Sequence, residues 1–350
     1  MKKRNILLAL LLVFSVVLAA CSSAPSSSEG SNDSSGSGSE GSEDKTYVIK
    51  MGHAASQDHF AQDSAEKFKE LVEANSEGKI TVEIYPNGQL GGEREMVEAI
   101  QLGNLTMAFP SSAVLVAFSP SMAVWDLPYL FKDHETAHRV LDGEVGQEIL
   151  DSLSDKGIKG LAYWENGFRH LTNNKKPVAN VDDMKGLKIR TLESPMQIKF
   201  WSATGANATP IAFTELYAAL QQGTVDAQET PLSLMYSMKF FEVQKYLSLT
   251  GHLYSPWPVL INQSFYNNLP EDLQKVVMDA TVETRDFNRQ LSKQDEDASL
   301  ELLTAEGMEY TELTDEQKQG FQEAMSTVYE DVKGQIGEEI FDKLMGEVGL

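Results

Sequence analysis

The chain has 350 residues, with 29 Lys and Arg against 52 Asp and Glu and a single Cys. That length suits about two domains of roughly 100–200 residues, and 41% hydrophobic with 23% charged residues describes a soluble body rather than a membrane bundle. A net charge of −23 argues against nucleic acid as a partner, because phosphate recognition needs clustered Lys and Arg, and one Cys excludes both an intramolecular disulfide and a Cys-rich metal site.

Lys2, Lys3 and Arg4 precede an apolar run from Ile6 to Ala20. The run is too short for a comfortable transmembrane helix, which needs about 20 residues. A basic start, a short apolar stretch and then small residues have the grammar of a secretory signal over residues 1–20. Leu18-Ala19-Ala20-Cys21 resembles a bacterial lipobox, which implies cleavage before Cys21 and lipid attachment to its sulfur. Losing three positive charges with the leader takes the net charge from −23 to −26. Of the 24 residues from Ser22 to Lys45, 11 are Ser and 4 are Gly. Such a stretch has no apolar surface to offset the entropy of ordering, so residues 21–45 are expected to be a lipidated, disordered tether, on the order of 25–30 Å end to end. The body is then expected outside the cytoplasm, tethered to a membrane, with no ATP or cytosolic cofactor pool at hand and no cofactor implied.

The remaining chain reads as α/β. Tyr47–Met51 is a short strand, and Asp63–Asn75 is a helix with Ala65, Phe68 and Val72 on one stripe. Ile80, Val82 and Ile84 alternate with polar residues before a turn at Pro86-Asn87-Gly88. A helix from about Glu93 to Leu102 is followed by a strand over 105–109. Strands recur at Lys159–Tyr163 and Leu187–Arg190, then a helix at Pro195–Thr204. Strand and helix alternation over this length favours sheets flanked by helices. Between Pro270 and about Glu306 no Pro or Gly intervenes, which predicts either one very long helix, some 50 Å if continuous, or two helices broken near 293–298. Thr314 and Gln317 form a capping-box pattern before a closing helix.

The segment from Gly186 to Pro195 concentrates the chemistry. A strand ends at Arg190, Ser194 is placed to cap the next helix, and Pro195 suits its first position. Open α/β sheets bind ligands beyond the carboxyl ends of their strands, and a helix N-terminus nearby adds unpaired N–H groups. Guanidinium and carboxylate match as a two-pronged pair, which Lys cannot reproduce. Arg190 is therefore either an anion site or a surface arginine paired with Glu193.

The run GLKIRTLESP at 186–195, followed by TGANATPIAFTELYAALQQGTVDAQETPL at 204–232, resembles the solute-binding proteins of TRAP transporters, the DctP family. So do YPNGQLGGERE at 85–95, WDLPYLF at 125–131, ENGFRHLTN at 165–173, YLSLTGH at 246–252 and NNLPEDLQ at 267–274. The resemblance implies a two-lobed, periplasmic-binding-protein-like α/β fold with a long helix spanning both lobes. Residues 46–167 with about 255–294 would form the first lobe, and 168–254 with about 295–350 the second. It implies a receptor, not an enzyme, that captures a small organic acid in the cleft and delivers it to small and large integral membrane permease subunits. Carried over position by position, Arg190 matches the main carboxylate-binding arginine, Arg169 a second arginine, Phe213 an aromatic that covers the solute, and Glu93 an acidic cleft position. His53 lies on a cleft loop. Gln228-Glu229-Thr230-Pro231 departs from the usual Gln-Glu-Asn-Pro, so Thr230 and Glu229 are included with a hydroxyl in place of an amide. Ser111 stands where sialic-acid binders carry Glu, which disfavours sialic acid. Glu93 accepts hydrogen bonds and repels a second carboxylate, so a sugar acid or uronate is favoured and a C4-dicarboxylate comes next; alternatively Glu93 only pairs with Arg94 or its helix dipole.

His134-Glu135-Thr136-Ala137-His138 satisfies HExxH, which would present two imidazoles on one helix face to zinc in an extracellular hydrolase. The context argues against it. Asp142-Gly143 ends the helix after about two turns, and Glu144 occupies the place of a third His, leaving only a distant Glu as a further ligand. His53 and His59 are read as polar residues of the cleft or surface rather than metal ligands.

Overall fold

Alternation fixes the first two strands. In β1 (Tyr47–Gly52), Ile49 and Met51 are buried; in β2 (Ile80–Tyr85), Ile80 and Val82 are buried while Thr81 and Glu83 face solvent. The two run parallel, joined by α1 (Phe60–Asn75). A computed structural model describes residues 45–350; the expected leader, the lipidation at Cys21 and residues 22–44 of the expected tether lie outside the described residues. Helix α1 begins three residues before the expected Asp63, because the His59 imidazole caps it, its Nδ1 accepting from the Ala61 N–H at 3.1 Å. Histidine is not among the usual capping residues, so the earlier start carried no sequence signal.

The chain continues through α2 (Glu93–Gln101), β3 (Met107–Ala108), α3 (His134–Leu141), α4 (Glu144–Asp151) and β4 (Ile158–Asn173). Next come β5 (Lys188–Thr191), α5 (Pro195–Ala203), β6 (Asn207–Pro210), α6 (Leu216–Gln221), β7 (Ala227–Thr230), α7 (Leu232–Ser237) and β8 (Tyr246–Asn262). The last elements are α8 (Gln263–Asn267), α9 (Glu271–Ala305), β9 (Glu309–Glu312), α10 (Asp315–Met325), α11 (Tyr329–Ile336) and α12 (Glu338–Val348).

The strands connect in the order β2-β1-β3-β8-β4-β7-β5-β6, with β9 on β8. Antiparallel β4 and β8 are the centre. At one end of this ribbon β3 pairs with Leu260 and Ile261; at the other, β7 pairs with residues 170–173 and β9 with 246–249. Two half-sheets therefore hang on opposite ends of one two-stranded ribbon. Its register shifts at Gly160/Ala162, Glu165/Gly167 and Arg169/Leu171, and Gly167 supplies the positive φ of 113° at the middle shift. The expected strand at 159–163 is thus the first third of a much longer one.

The uninterrupted reading of α9 holds: one helix of 35 residues, packed along α1, β4 and α7. It docks through small polar residues. Asn288 accepts from the Glu165 backbone N–H (2.6 Å) and donates to Ser64 Oγ (3.2 Å), and Trp164 Nε1 donates to the Thr281 carbonyl (3.0 Å). The capping box at Thr314 and Gln317 is present, but three helices close the chain, not one, because Gly337 at φ 86° separates α11 from α12. Helix α12 packs on α3 and α4, with Arg139 donating to the Glu347 carbonyl (2.7 Å) and Lys343 paired to Glu144 (2.8 Å). The end of the chain thus packs on elements before residue 167, while α10 packs on α5 and β8.

Candidate functional site

Strand β5 ends at Thr191, and Arg190 is 1% exposed on it. Its Nε donates to the Ile211 carbonyl (2.8 Å), and its guanidinium carbon lies 5.9 Å from the centre of the Phe213 ring. Its Nη1 is buried with no partner among the described residues. Burial lowers its pKa to about 10, so it is still charged near neutral pH, and Glu229 opposes the shift. No ion pair joins Arg190 to Glu193 among the described residues, and the surface-pair alternative fails on burial. An inward guanidinium with an idle N–H is a ready seat for an anion's oxygen.

Arg169, on β4, is spoken for. Its Nε and Nη2 donate to the two carboxylate oxygens of Glu229 at 2.5 and 2.9 Å, and Nη2 also reaches the Glu229 carbonyl at 2.6 Å. His252 closes the group: its Nε2 lies 3.1 Å from Glu229 Oε2, and its Nδ1 lies 2.8 Å from Thr250 Oγ1. Burial alone would raise the pKa of Glu229, but the charge of Arg169 and the bonds from His252 and Arg169 hold it down to about 2. Both Glu229 oxygens are engaged, so this residue orients Arg169 from behind and offers no free oxygen.

Glu93 opens α2, with Oε1 accepting from the Ser111 backbone N–H at 2.9 Å. Burial raises its pKa, against the Ser111 bond and the positive charges of Arg190 and Arg169. Arg94 pairs with Glu98 instead (3.2 Å), so it is not the partner of Glu93. Ser111 Oγ lies 3.3 Å from Ser255 Oγ, which Asn166 Nδ2 approaches at 3.5 Å, and Asn166 Oδ1 is left without a partner. His53 Nε2 meets Gln62 Oε1 at 2.9 Å, its ring stacks on Phe109, and its Nδ1 is buried and unpartnered. Burial lowers its pKa, against its contacts with Gln62 and the Ala55 backbone. Thr230, at the end of β7, also holds a buried hydroxyl with no partner among the described residues. The turn that leads to Glu93 touches the segment carrying Phe213: a side chain at Gly88 (φ 64°) would lie 2.5 Å from Thr214 Cγ2.

One expected element of an anion site is otherwise used. Ser194 does cap α5, accepting from the Met196 N–H (3.2 Å), but it also donates to Asp126 Oδ2 (2.5 Å), and Gln197 Nε2 donates to Asp126 Oδ1 (2.9 Å). The buried Asp126 carboxyl occupies that helix end, its pKa raised to about 6 by burial despite those bonds. Asp126, His252 and Asn166 lie inside the motifs quoted above, yet nothing in their spacing singled them out.

The model of the bacterial extracellular solute-binding protein family 7, DctP, matches residues 51–335. The chain belongs to the DctP family of TRAP transporter solute-binding proteins. It is 37% identical to the 2,3-diketo-L-gulonate-binding periplasmic protein of Escherichia coli K12 over 81% of this chain and 86% of that protein. It is 38% identical to the C4-dicarboxylate-binding periplasmic protein of Rhodobacter capsulatus, over 83% of this chain and 88% of that one. The crystal structure of the sugar acid binding protein of Advenella mimigardefordensis in complex with galactonate superposes with a TM-score of 0.85 at 33% identity, covering 87% of this chain and 98% of that chain. The DctP fold is two-lobed, which gives the two half-sheets on the β4–β8 ribbon their meaning as the two lobes.

Membership in the DctP family makes the chain a solute-binding receptor of transport, not an enzyme. The HExxH residues nevertheless do not simply face solvent. His134 and His138 turn onto Glu165 of β4, the distant glutamate that the sequence left open, while Glu135 is exposed. His53 and His59 are not a pair: His59 caps α1 and its Nε2 lies 3.1 Å from Ser233 Oγ.

Proposed function

We propose that this DctP-family receptor captures a small organic acid between its lobes, with sugar acids and uronates preferred over C4-dicarboxylates, and hands it to the small and large permease subunits of a TRAP transporter. The observation that carries the reading is Arg190: a buried, charged guanidinium with an idle N–H beside the Phe213 ring. Arg190 clamps the carboxylate, Phe213 covers the carbon skeleton, and Arg169, held by Glu229, adds positive charge. The preference rests on the rest of the cleft, which is rich in acceptors. Glu93 and Asn166 Oδ1 need donors, and His53 and Thr230 complete a polar wall. Sugar hydroxyls supply donors, whereas a second carboxylate supplies none and is repelled by Glu93. The relatives named for diketogulonate and galactonate agree with this ordering, and the one named for C4-dicarboxylates keeps the runner-up alive. Contact between the Gly88 turn and Thr214 favours closure around a solute that touches both lobes.

A thermal-shift panel tests the preference. An aldonate or uronate at about 100 times its dissociation constant should stabilise by ~2.7 kcal/mol, about 4 °C for a body of this size. Succinate or malate giving the larger shift at equal concentration would reverse the ranking.

The anchor is proposed on the lipobox alone: Cys21 is the chain's one thiol and follows a leader-like segment. A single acyl chain holds a protein only marginally and two hold it firmly. Cys21→Ser should therefore move the receptor from the membrane pellet to the soluble fraction on fractionation; retention in the pellet would remove the lipid anchor.

A further inference from the structure

A second cluster contains none of the side chains assigned to the solute cleft, although its Glu165 adjoins Asn166 on β4. Helix α3 presents His134 and His138 one turn apart, and both face Glu165 of β4. His134 Nδ1 is 2.6 Å from Glu165 Oε1, and His138 Nε2 is 2.6 Å from Glu165 Oε2. One candidate ligand atom from each of the three residues falls within 4.8 Å of the others. His134 also turns its other nitrogen, Nε2, to Glu296 of α9 at 2.9 Å. The back wall is aromatic: the Phe168 ring centre is 4.9 Å from that of His134, and the Tyr254 ring packs against both imidazoles at 5.9 and 6.4 Å. The Tyr254 hydroxyl is buried with no partner among the described residues. The Glu165 side chain is 2% exposed while the histidines are 35% and 25% exposed, so the carboxylate is fixed and the approach from solvent is open.

We infer that His134, His138 and Glu165 form a binding site for one zinc-class divalent ion, with Glu296 orienting His134 from outside the coordination sphere. Two imidazole nitrogens and one carboxylate oxygen are the donor set that zinc and its neighbours favour, and a fourth position is left for water. The Glu296 contact is the carboxylate–imidazole pairing that fixes ring orientation and tautomer in such sites. The exchange balances. His134, whose two nitrogens both face carboxylates, gives its Nδ1 proton to solvent and presents that lone pair to the ion. His138 frees Nε2 by carrying its proton on Nδ1 or releasing it. Each imidazole nitrogen lies 2.6 Å from a different Glu165 oxygen, so the three side chains adjust until one donor atom from each stands about 3.3 Å from the others, the edge of a tetrahedron with bonds near 2.0–2.1 Å.

The site would clip α3 to β4 beside the shift at Glu165/Gly167, and through His134 to α9, so its role is to brace the ribbon that joins the lobes. Glu135, the base that a hydrolase of this motif needs, is exposed and enters no hydrogen bond of the cluster, so the ion has no partner for hydrolysis here.

The test is zinc chloride titrated by calorimetry into the mature receptor stripped with chelator, with metal analysis after dialysis. One ion per chain is expected. His138→Gln should weaken binding by about tenfold or more, and Glu296→Gln, at a partly exposed position, by about tenfold with the fold unchanged by circular dichroism. Cobalt in place of zinc should give the visible absorption of a low-symmetry, nitrogen-containing site in the wild type and lose it in His138→Gln, a readout that does not depend on stability. Absence of saturable binding, or binding untouched by both substitutions, would overturn the proposal and leave zinc on the acidic surface instead. Sugar-acid affinity measured on the same samples keeps this outcome separate from the receptor reading, which rests on Arg190.

Discussion

Arg190→Ala should abolish useful solute capture, costing about 2–5 kcal/mol of binding, a loss of more than roughly 30-fold in dissociation constant. The size follows from the surroundings. Arg190 is 1% exposed, so a carboxylate bound to it is drawn from water into a site where only a positive charge and matched N–H groups compensate the desolvation. Long-range attraction cannot substitute, because the chain carries −23 overall and its field repels an incoming anion. Arg190→Lys separates charge from shape: it keeps the cation and loses the fork, and should bind with intermediate affinity. Calorimetry with the best solute of the thermal-shift panel checks both variants. An unchanged dissociation constant in Arg190→Ala would take this residue out of the cleft and remove the chemical basis of the receptor's grip.

Much of this site was legible because its chemistry is local. The strand-to-helix passage Arg190–Pro195 announces itself through an arginine near a strand end, a capping Ser and a Pro at the first helical turn, and the structure shows the cap and the Pro as expected, with the strand one residue longer, to Thr191. Glu93 likewise sits where the turn at 86–92 puts it. What stayed hidden is long-range. Glu229 reads as a strand residue near a proline, and only pairing with β4 brings it to Arg169, 60 residues earlier, and His252 to both. Asp126 meets Ser194 and Gln197 across about 70 positions in the same way. The ribbon was under-read because its three shifts reset the alternation that marks a strand. The buried face of α9 stayed hidden for a different reason. Phe287 and Leu291 are half-buried, and the buried stripe beyond Val277 and Ala280 is Thr281, Thr284, Asn288 and Ser292, polar residues whose small size lets the helix come close to β4 and hydrogen-bond to it, a contact that apolar periodicity does not mark.

Glu229→Ala should destabilise the folded receptor by about 3–5 kcal/mol, because it leaves the Arg169 guanidinium, 2% exposed, without the carboxylate that takes two of its N–H groups. The loss has a signature in pH. The Glu229 carboxyl is depressed in the folded protein to about 2, below its ordinary value of 4.5. A depressed carboxyl contributes stability that is fully present above the unfolded value and fades as pH falls through the folded one. The wild type should therefore lose roughly 3 kcal/mol between about pH 4.5 and pH 2 from this group, and Glu229→Ala should lack that part of the acid transition. Urea unfolding at pH 7 and pH 2 measures both quantities. The double variant Arg169→Met with Glu229→Leu removes the ion pair whole and should regain most of the stability lost by Glu229→Ala, since neither charge is then buried alone. It should still bind solute poorly, because Arg169 no longer adds its charge beside Arg190. A double variant as unstable as the single one would mean that the pair is not an electrostatic unit, and that Glu229 acts through its bond to His252 instead.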